Sequence, residues 1–381
     1  MIEVADRLKN VEEYYFSKKL KEVAFLISQG KPIINLGIGS PDLAPPIKAS
    51  VALEQSLEDE GAHRYQSYQG LPELRAAITD FYKTHFDVNL SAQTEVLPLM
   101  GSKEGIMHIS MAFLNKGDQV LVPNPGYPTY AAVANLLEAE TVYYNLSEET
   151  QWEPDFIALE RMDLEKVKIM WVNYPHMPTG ANASNKFYDS VIAFGKRHNI
   201  LIVNDNPYSF ILNDHPKSIL RYRNAKDVCL ELNSISKTFN MAGWRVGMVL
   251  GHFDHISAVL KVKSNMDSGM FYGIQKGAIE ALKSSKMWFM SLKNVYEQRR
   301  KLIWELAEAL NCTYDNSSSG LFVWAKLPPH LKSEEFTDLV LKEHSLFITP
   351  GTVFGSQGEG YVRFSLCAET DVINEAIARV K

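Results

Sequence analysis

The chain has 381 residues, 46% of them hydrophobic, enough for a large core shared between two lobes. Its formal charge is −6 with no long basic run, which argues against nucleic acid and against an anionic membrane as partners. The three cysteines, Cys229, Cys312 and Cys367, have no paired spacing and no CxxC, so neither a disulfide framework nor a metal site is expected.

The opening segment, MIEVADRLKNVEEYYFSKKLKE, is charged from its start and lacks the apolar centre of a signal peptide. No stretch approaches the roughly eighteen apolar residues of a membrane-spanning helix, and a cytoplasmic protein is the expectation. Further along, short apolar runs alternate with helical periodicity. Strands are predicted over Glu95–Met100, Gln119–Pro123, Thr141–Leu146, Val167–Tyr174, Ile200–Asp205, Val228–Ser234 and Arg245–Leu250. Helical patterns such as Lys103–Leu114 and Asn185–His198 fall between them. This alternation implies βαβ units and an α/β fold with a mainly parallel seven-stranded sheet covered on both faces. Only about ten residues separate Ser234 from Arg245, too few for a helical crossover, so the last strand is expected to run antiparallel. After Phe271 a long helical pattern through QRRKLIWELAEAL leads into GLFVWAKL and GYVRFSL, which read as a smaller α+β domain. The expected division is 1–45, an N-terminal segment packing with the small domain, then 46–275, the large ligand-binding domain, and 276–381, the small domain.

In an open α/β sheet, ligands bind just beyond the carboxyl ends of the strands. The predicted strand ends lead into Gly101-Ser102-Lys103, PNPGYPTY with Tyr127, Asn173-Tyr174, Asn204-Asp205-Asn206-Pro207-Tyr208, and Asn233-Ser234-Ile235-Ser236-Lys237. Each has an ordinary reading. Asp205 fits a turn or helix cap, Lys237 a solvated strand end, and Arg363 in GYVRFSL a salt-bridged residue on a polar strand face. GSKEG fits a simple turn, although a helix start there also suits a phosphate. A dinucleotide fingerprint fails, because LGIGSPDL lacks the third glycine.

Together these residues make sense as a pyridoxal 5'-phosphate site. Lys237 offers the amine for a Schiff base, and Asp205 a carboxylate to keep the pyridine nitrogen protonated. Asn173 and Tyr208 offer hydrogen bonds to the phenolic oxygen, and Tyr127 an aromatic face. Gly101, Ser102 and Lys103 at a helix start, with Ser234, Ser236 and Arg245, offer donors and a fixed cation for the phosphate.

The chain resembles the class I/II aminotransferases, fold-type I pyridoxal phosphate enzymes, from about Pro32 to its C-terminus. The likeness rests on NLGIGSPD, YQSYQGLPELR, GSKEG, PNPGYPTY, NYPHMPTG, NDNPYS, SISKTFNMAGWRVG and VRFSL, in family order. It is nearest in motif to the LL-diaminopimelate and aspartate aminotransferase branches. The resemblance implies a ping-pong exchange of an amino group between an L-amino acid and a 2-oxo acid, with Lys237 as Schiff base and proton carrier. It implies that Arg363 clamps the substrate α-carboxylate and that Gly39 contacts it through the backbone, beside Tyr127 and Asn173. It also implies a homodimer with shared sites, in which Tyr65, or Tyr68 three residues on, reaches the neighbouring subunit's phosphate. Asn265, in KSNMDSG, is a further candidate at that interface, and Tyr14 a candidate substrate contact. One departure stands out: the family reads N-x-P-x-N-P-T-G, and Met177 replaces the second asparagine here.

A C–S β-lyase on the same fold would share every cofactor residue. A regulator using the fold as a sensor would need a DNA-binding domain, and no helix-turn-helix or basic stretch precedes NLGIG. Aspartate, LL-diaminopimelate, alanine, aromatic amino acids and methionine all remain open as donors, and His176 lies near the site by sequence.

Overall fold

Apolar β-branched runs bounded by loops build the main sheet of the computed structural model, which describes residues 2–10 and 15–381. In chain order the strands begin with β1 (Ile34–Asn35), β2 (Val96–Leu99), β3 (Gln119–Asn124) and β4 (Glu140–Asn145). They continue with β5 (Val167–Val172), β6 (Leu201–Asp205), β7 (Cys229–Ser234) and β8 (Gly247–Gly251). The seven-stranded sheet has the order β2-β8-β7-β6-β5-β3-β4. It is parallel except for β8, which runs antiparallel to both β2 and β7, as the short connection from Ser234 required. The predicted strand from Arg245 starts later, at Gly247, because Arg245 takes a left-handed φ of 56°, which no strand residue holds.

Side chains alternate between two cores, as the two-residue period of a strand demands. On β5, Ile169 and Trp171 join one core, and Met170 and Val172 the other. On β6, Val203 and Ile202 divide in the same way. Both faces are therefore largely apolar, Asn204 and Glu231 being buried exceptions that hydrogen-bond to each other, and most polar side chains emerge at the strand ends. Among the described residues no helix is long and apolar enough to cross a membrane.

The C-terminal part adds β9 (Thr313–Tyr314), β10 (Phe322–Lys326), β11 (Leu346–Phe347), β12 (Thr349–Pro350) and β13 (Tyr361–Ser365). A four-stranded antiparallel sheet runs β12-β13-β10-β9. The helices Lys286–Ala309 and Thr370–Val380 pack together beside it. Strand β1 pairs in parallel with β11, Ile34 opposite Leu346. Beyond β1, the Leu36 carbonyl accepts from the Ser365 N–H at 2.7 Å. The segment between the helices Tyr15–Ser28 and Ile47–Ser56 is thus stitched to the C-terminal strands before the main sheet begins.

Candidate active site

A cavity of about 400 Å³ opens at the carboxyl ends of β5, β6 and β7 and at the start of the helix Ser102–Phe113. Gly39, Ser102, Lys103, Tyr127, Asn173, Asp205, Tyr208, Ser234, Ser236, Lys237, Arg245 and Arg363 all line it. Residues separated by more than three hundred positions in sequence are thereby brought to one space.

Asp205 is the last residue of β6 and is 5% exposed. Its Oδ2 accepts from the Tyr130 hydroxyl at 2.8 Å, while Oδ1 has no hydrogen-bond partner among the described residues. Burial raises its pKa to about 7, and the Tyr130 hydrogen bond opposes that rise. It caps no helix, so the turn reading does not hold. Asn173 donates from Nδ2 to the Asp205 carbonyl and accepts at Oδ1 from the Met177 N–H at 2.8 Å. Its amide therefore ties the β5 loop to β6.

Lys237 sits in a single helical turn, Ile235–Thr238, that follows β7. Its Nζ donates to the Gly39 carbonyl at 2.6 Å. Burial lowers its pKa; Cys367 opposes this shift, and Arg363 and Arg245 add to it. Ser234 accepts from the Ser236 N–H at 3.0 Å and its hydroxyl donates to Ser236 Oγ at 2.7 Å, so both hydroxyls face one corner.

Arg245 donates from Nη1 to the Ala242 carbonyl at 2.8 Å. A Cβ built on Gly101 would fall 2.2 Å from Arg245 Nη2, at a φ of +97°. Only glycine lets the guanidinium lie against the helix start carrying Ser102. Tyr127 packs edge-on to Tyr130, which stacks on Trp171 at 4.8 Å.

Arg363, on β13, is 5% exposed. The polar strand face expected for it is instead a slot between aromatic rings, with its Cζ 3.8 Å from the Phe322 centroid and 4.6 Å from that of Phe354. Nη2 donates to the Gly37 carbonyl at 2.9 Å, and Nη1 lies 3.4 Å from Met177 Sδ. Met177, the departure noted in the sequence, thus faces the guanidinium directly.

Tyr65 and Tyr68 are 91% and 46% exposed, and neither lines the cavity of its own chain. Asn265 is also exposed and donates to the Lys261 carbonyl at 2.8 Å. Tyr14 lies outside the described residues. His176 is not part of the lining; its Nδ1 meets Thr179 Oγ1 at 2.8 Å, and burial lowers its pKa to about 3. Sequence reasoning missed Tyr130, Leu20, Ile38, Phe322 and Phe354 as lining residues. The tyrosine had a signal, since PNPGYPTY ends on it, whereas the apolar four look like core in any local pattern.

Pyridoxal phosphate fits this set. A buried carboxylate oxygen without a partner among the described residues suits a protonated ring nitrogen. A lysine whose amine rests on a backbone carbonyl suits an aldehyde. A helix start beside two hydroxyls and a guanidinium suits a phosphate.

Residues 31–380 match the family described as "Aminotransferase class I and II". The chain is 40% identical over 380 residues to an LL-diaminopimelate aminotransferase of Maridesulfovibrio salexigens, covering 99% of this chain and 98% of that one. It is 39% identical to the LL-diaminopimelate aminotransferase of Aquifex aeolicus, covering 100% and 99%. The solved structure of substrate-bound BacF from Bacillus subtilis superposes with a TM-score of 0.95 at 35% identity, covering 100% of this chain and 97% of that one. None of these likenesses points to the lyase alternative. The chain belongs to the class I and II aminotransferases, pyridoxal phosphate-dependent enzymes of fold type I.

Proposed function

We propose that the cavity around Lys237 is the transaminase centre, with the roles of its residues as follows. The observation that carries the reading is the convergence in one cavity of a half-buried lysine amine, a carboxylate oxygen without a partner among the described residues, and two guanidinium groups. Pyridoxal phosphate supplies an aldehyde for the amine and a ring that draws electrons from the donor's Cα. Asp205 holds the ring nitrogen's proton through Oδ1. Arg245, Ser102, Ser234 and Ser236 hold the phosphate, with Gly101 and Lys103 at the same helix start. Tyr127 covers the ring, and Tyr208 and Asn173 stand toward its phenolic side. Lys237 Nζ takes the proton from the donor's Cα and delivers it to the former aldehyde carbon rather than back to Cα, so that the amino group stays with the cofactor when the keto acid leaves. Its lowered pKa makes the neutral, proton-accepting amine available at lower pH than for an exposed lysine.

Arg363 pairs with the α-carboxylate, and Gly39 closes over it. The rings of Phe322 and Phe354 fix the guanidinium plane and keep water from it. An Arg363→Lys enzyme is expected to show a KM for the amino donor raised by roughly tenfold or more, with kcat much less affected, because ammonium makes no two-point carboxylate pair. Unchanged kcat/KM for every donor would take Arg363 out of the site.

A homodimer with shared sites is part of the same proposal. The exposure of Tyr65 and Asn265, away from their own cavity, supports their crossing to a partner. The pairing of β1 with β11 supports the division 1–45, 46–275 and 276–381, with the first segment belonging to the C-terminal domain.

The names of the relatives put LL-diaminopimelate first among donors to test. A second reading, a donor with an apolar side chain, is favoured by Leu20, Ile38, Met177, Phe322 and Phe354 in the lining. Adding single amino acids to the loaded enzyme without a keto acid, and following its visible absorption, tests both readings. The donor that discharges the chromophore fastest decides between them. A chromophore that no amino acid alters would sink the assignment of the site.

A further inference from the structure

The loop from Gly37 to Asp42 brings no titratable side chain to the cavity, yet both reactive cations rest on its carbonyls. Gly39 O accepts from Lys237 at 2.6 Å, and Gly37 O accepts from Arg363 at 2.9 Å. The loop's beginning is anchored by β1 against β11 and by Thr349 Oγ1, which also donates to Gly37 O at 3.0 Å. Its middle is pressed against an aromatic ring: a Cβ on Gly39 would lie 2.1 Å from Phe322 Cζ. A small shift of this loop would therefore move the ring under Arg363 as well as the two carbonyls.

The far end of the loop is held by the Arg299 side chain. Arg299, in the helix Lys286–Ala309, meets Asp42 in a two-point pair, Nη1 to Oδ1 at 2.7 Å and Nη2 to Oδ2 at 2.7 Å. The same Nη1 donates to the Leu366 carbonyl at 3.1 Å, just beyond the strand that bears Arg363. The Arg299 side chain is 4% exposed and that of Asp42 26%, so the pair is buried on the arginine side, open to solvent on the carboxylate side, and fixed in geometry by its two-point contact.

We propose that Arg299 and Asp42 are positioning residues, which together set the distance between the Gly37–Gly39 carbonyls and Arg363 and so shape the carboxylate pocket. This rests on the reading of Arg363 as the α-carboxylate clamp. Neither residue touches substrate or cofactor; they act through the loop.

The test compares Arg299→Lys, Asp42→Asn, the double variant and Arg363→Lys, all as loaded enzyme. It reads KM and kcat of the donor half-reaction, retention of the visible chromophore, and Tm. Each single change is expected to raise KM about tenfold with kcat within roughly threefold and the chromophore retained. The double variant is expected to be no worse than the poorer single, because both changes break one pair. A lowered Tm with unchanged KM would reduce the pair to a structural role, and effects that multiply in the double variant would show that the two act separately. If Arg299→Lys does not fold, Asp42→Asn alone carries the KM comparison. If Arg363→Lys leaves KM unchanged, the reading of the clamp fails; if it raises KM while the other variants do not, only the positioning role fails.

Discussion

The Lys237→Ala enzyme is expected to retain pyridoxal phosphate reversibly, to fix none of it covalently, and to lose roughly ten-thousand-fold or more in turnover. General acid–base assistance alone accounts for about a hundredfold to ten-thousand-fold, and a tethered amine adds the advantage of a high effective concentration. The surroundings of Lys237 support so large a figure. Among the described residues its amine donates to no carboxylate; it donates to the Gly39 carbonyl, a neutral acceptor that releases it readily. Burial and the charges of Arg363 and Arg245 both act against the ammonium form. The direction gives a second readout. Because the folded-state pKa lies below the ordinary lysine value of 10.5, capture of added pyridoxal phosphate should quicken as pH rises and level off before that value. Borohydride treatment followed by intact-mass measurement gives the covalent fraction, and stopped-flow absorbance gives the capture rate. A variant that still becomes covalently labelled would move the reactive amine elsewhere. A capture rate that keeps climbing past 10.5 would contradict the burial of Lys237.

Much of this site was legible before any coordinates, for a definite reason. In a parallel sheet with largely apolar faces, polar residues collect at strand ends, so reading the residue after each apolar run finds Asp205, Asn173 and Ser234. The antiparallel β8 was equally legible, since chain length alone forbids a crossover between Ser234 and Gly247. What escaped were contacts between distant segments. The Arg299–Asp42 pair spans 257 positions, and the Tyr130–Asp205 bond 75; neither leaves a local pattern. Arg363 was found through family likeness, but its place between Phe322 and Phe354 was not, because strand alternation reports a face and not what covers it. Met177 was visible as a departure, whereas its contact with Arg363 needed the fold.

Replacing Asp205 with asparagine should move stability and activity in opposite directions. Burial lifts the Asp205 pKa from 3.8 to about 7 in the cofactor-free chain. A folded-state pKa above the unfolded value means that the folded chain holds a proton the unfolded chain has already lost. The penalty is absent below about pH 4, grows across the interval between the two values, and is complete above about pH 7. At about 1.4 kcal/mol per unit, a shift of this size costs on the order of 4 kcal/mol near pH 8. Asparagine removes that charge while its side-chain carbonyl can still accept from Tyr130, and the bond from Asn173 goes to the backbone and is untouched. The cofactor-free Asp205→Asn chain should therefore melt higher than the parent near pH 8, with the gain vanishing toward about pH 4. Transamination should fall by roughly a hundredfold or more, the scale of losing one preorganised charge from an active site. Added pyridoxal phosphate should raise the Tm of the parent far more than that of the variant, because a protonated ring nitrogen relieves the buried carboxylate only where there is one. Thermal melts of stripped and loaded protein across that pH range decide the matter. A variant destabilised at every pH would mean that Asp205 is held by contacts its neutral analogue cannot keep. A gain near pH 8 together with lost turnover would identify Asp205 as a group whose burial opposes folding and whose charge serves the reaction.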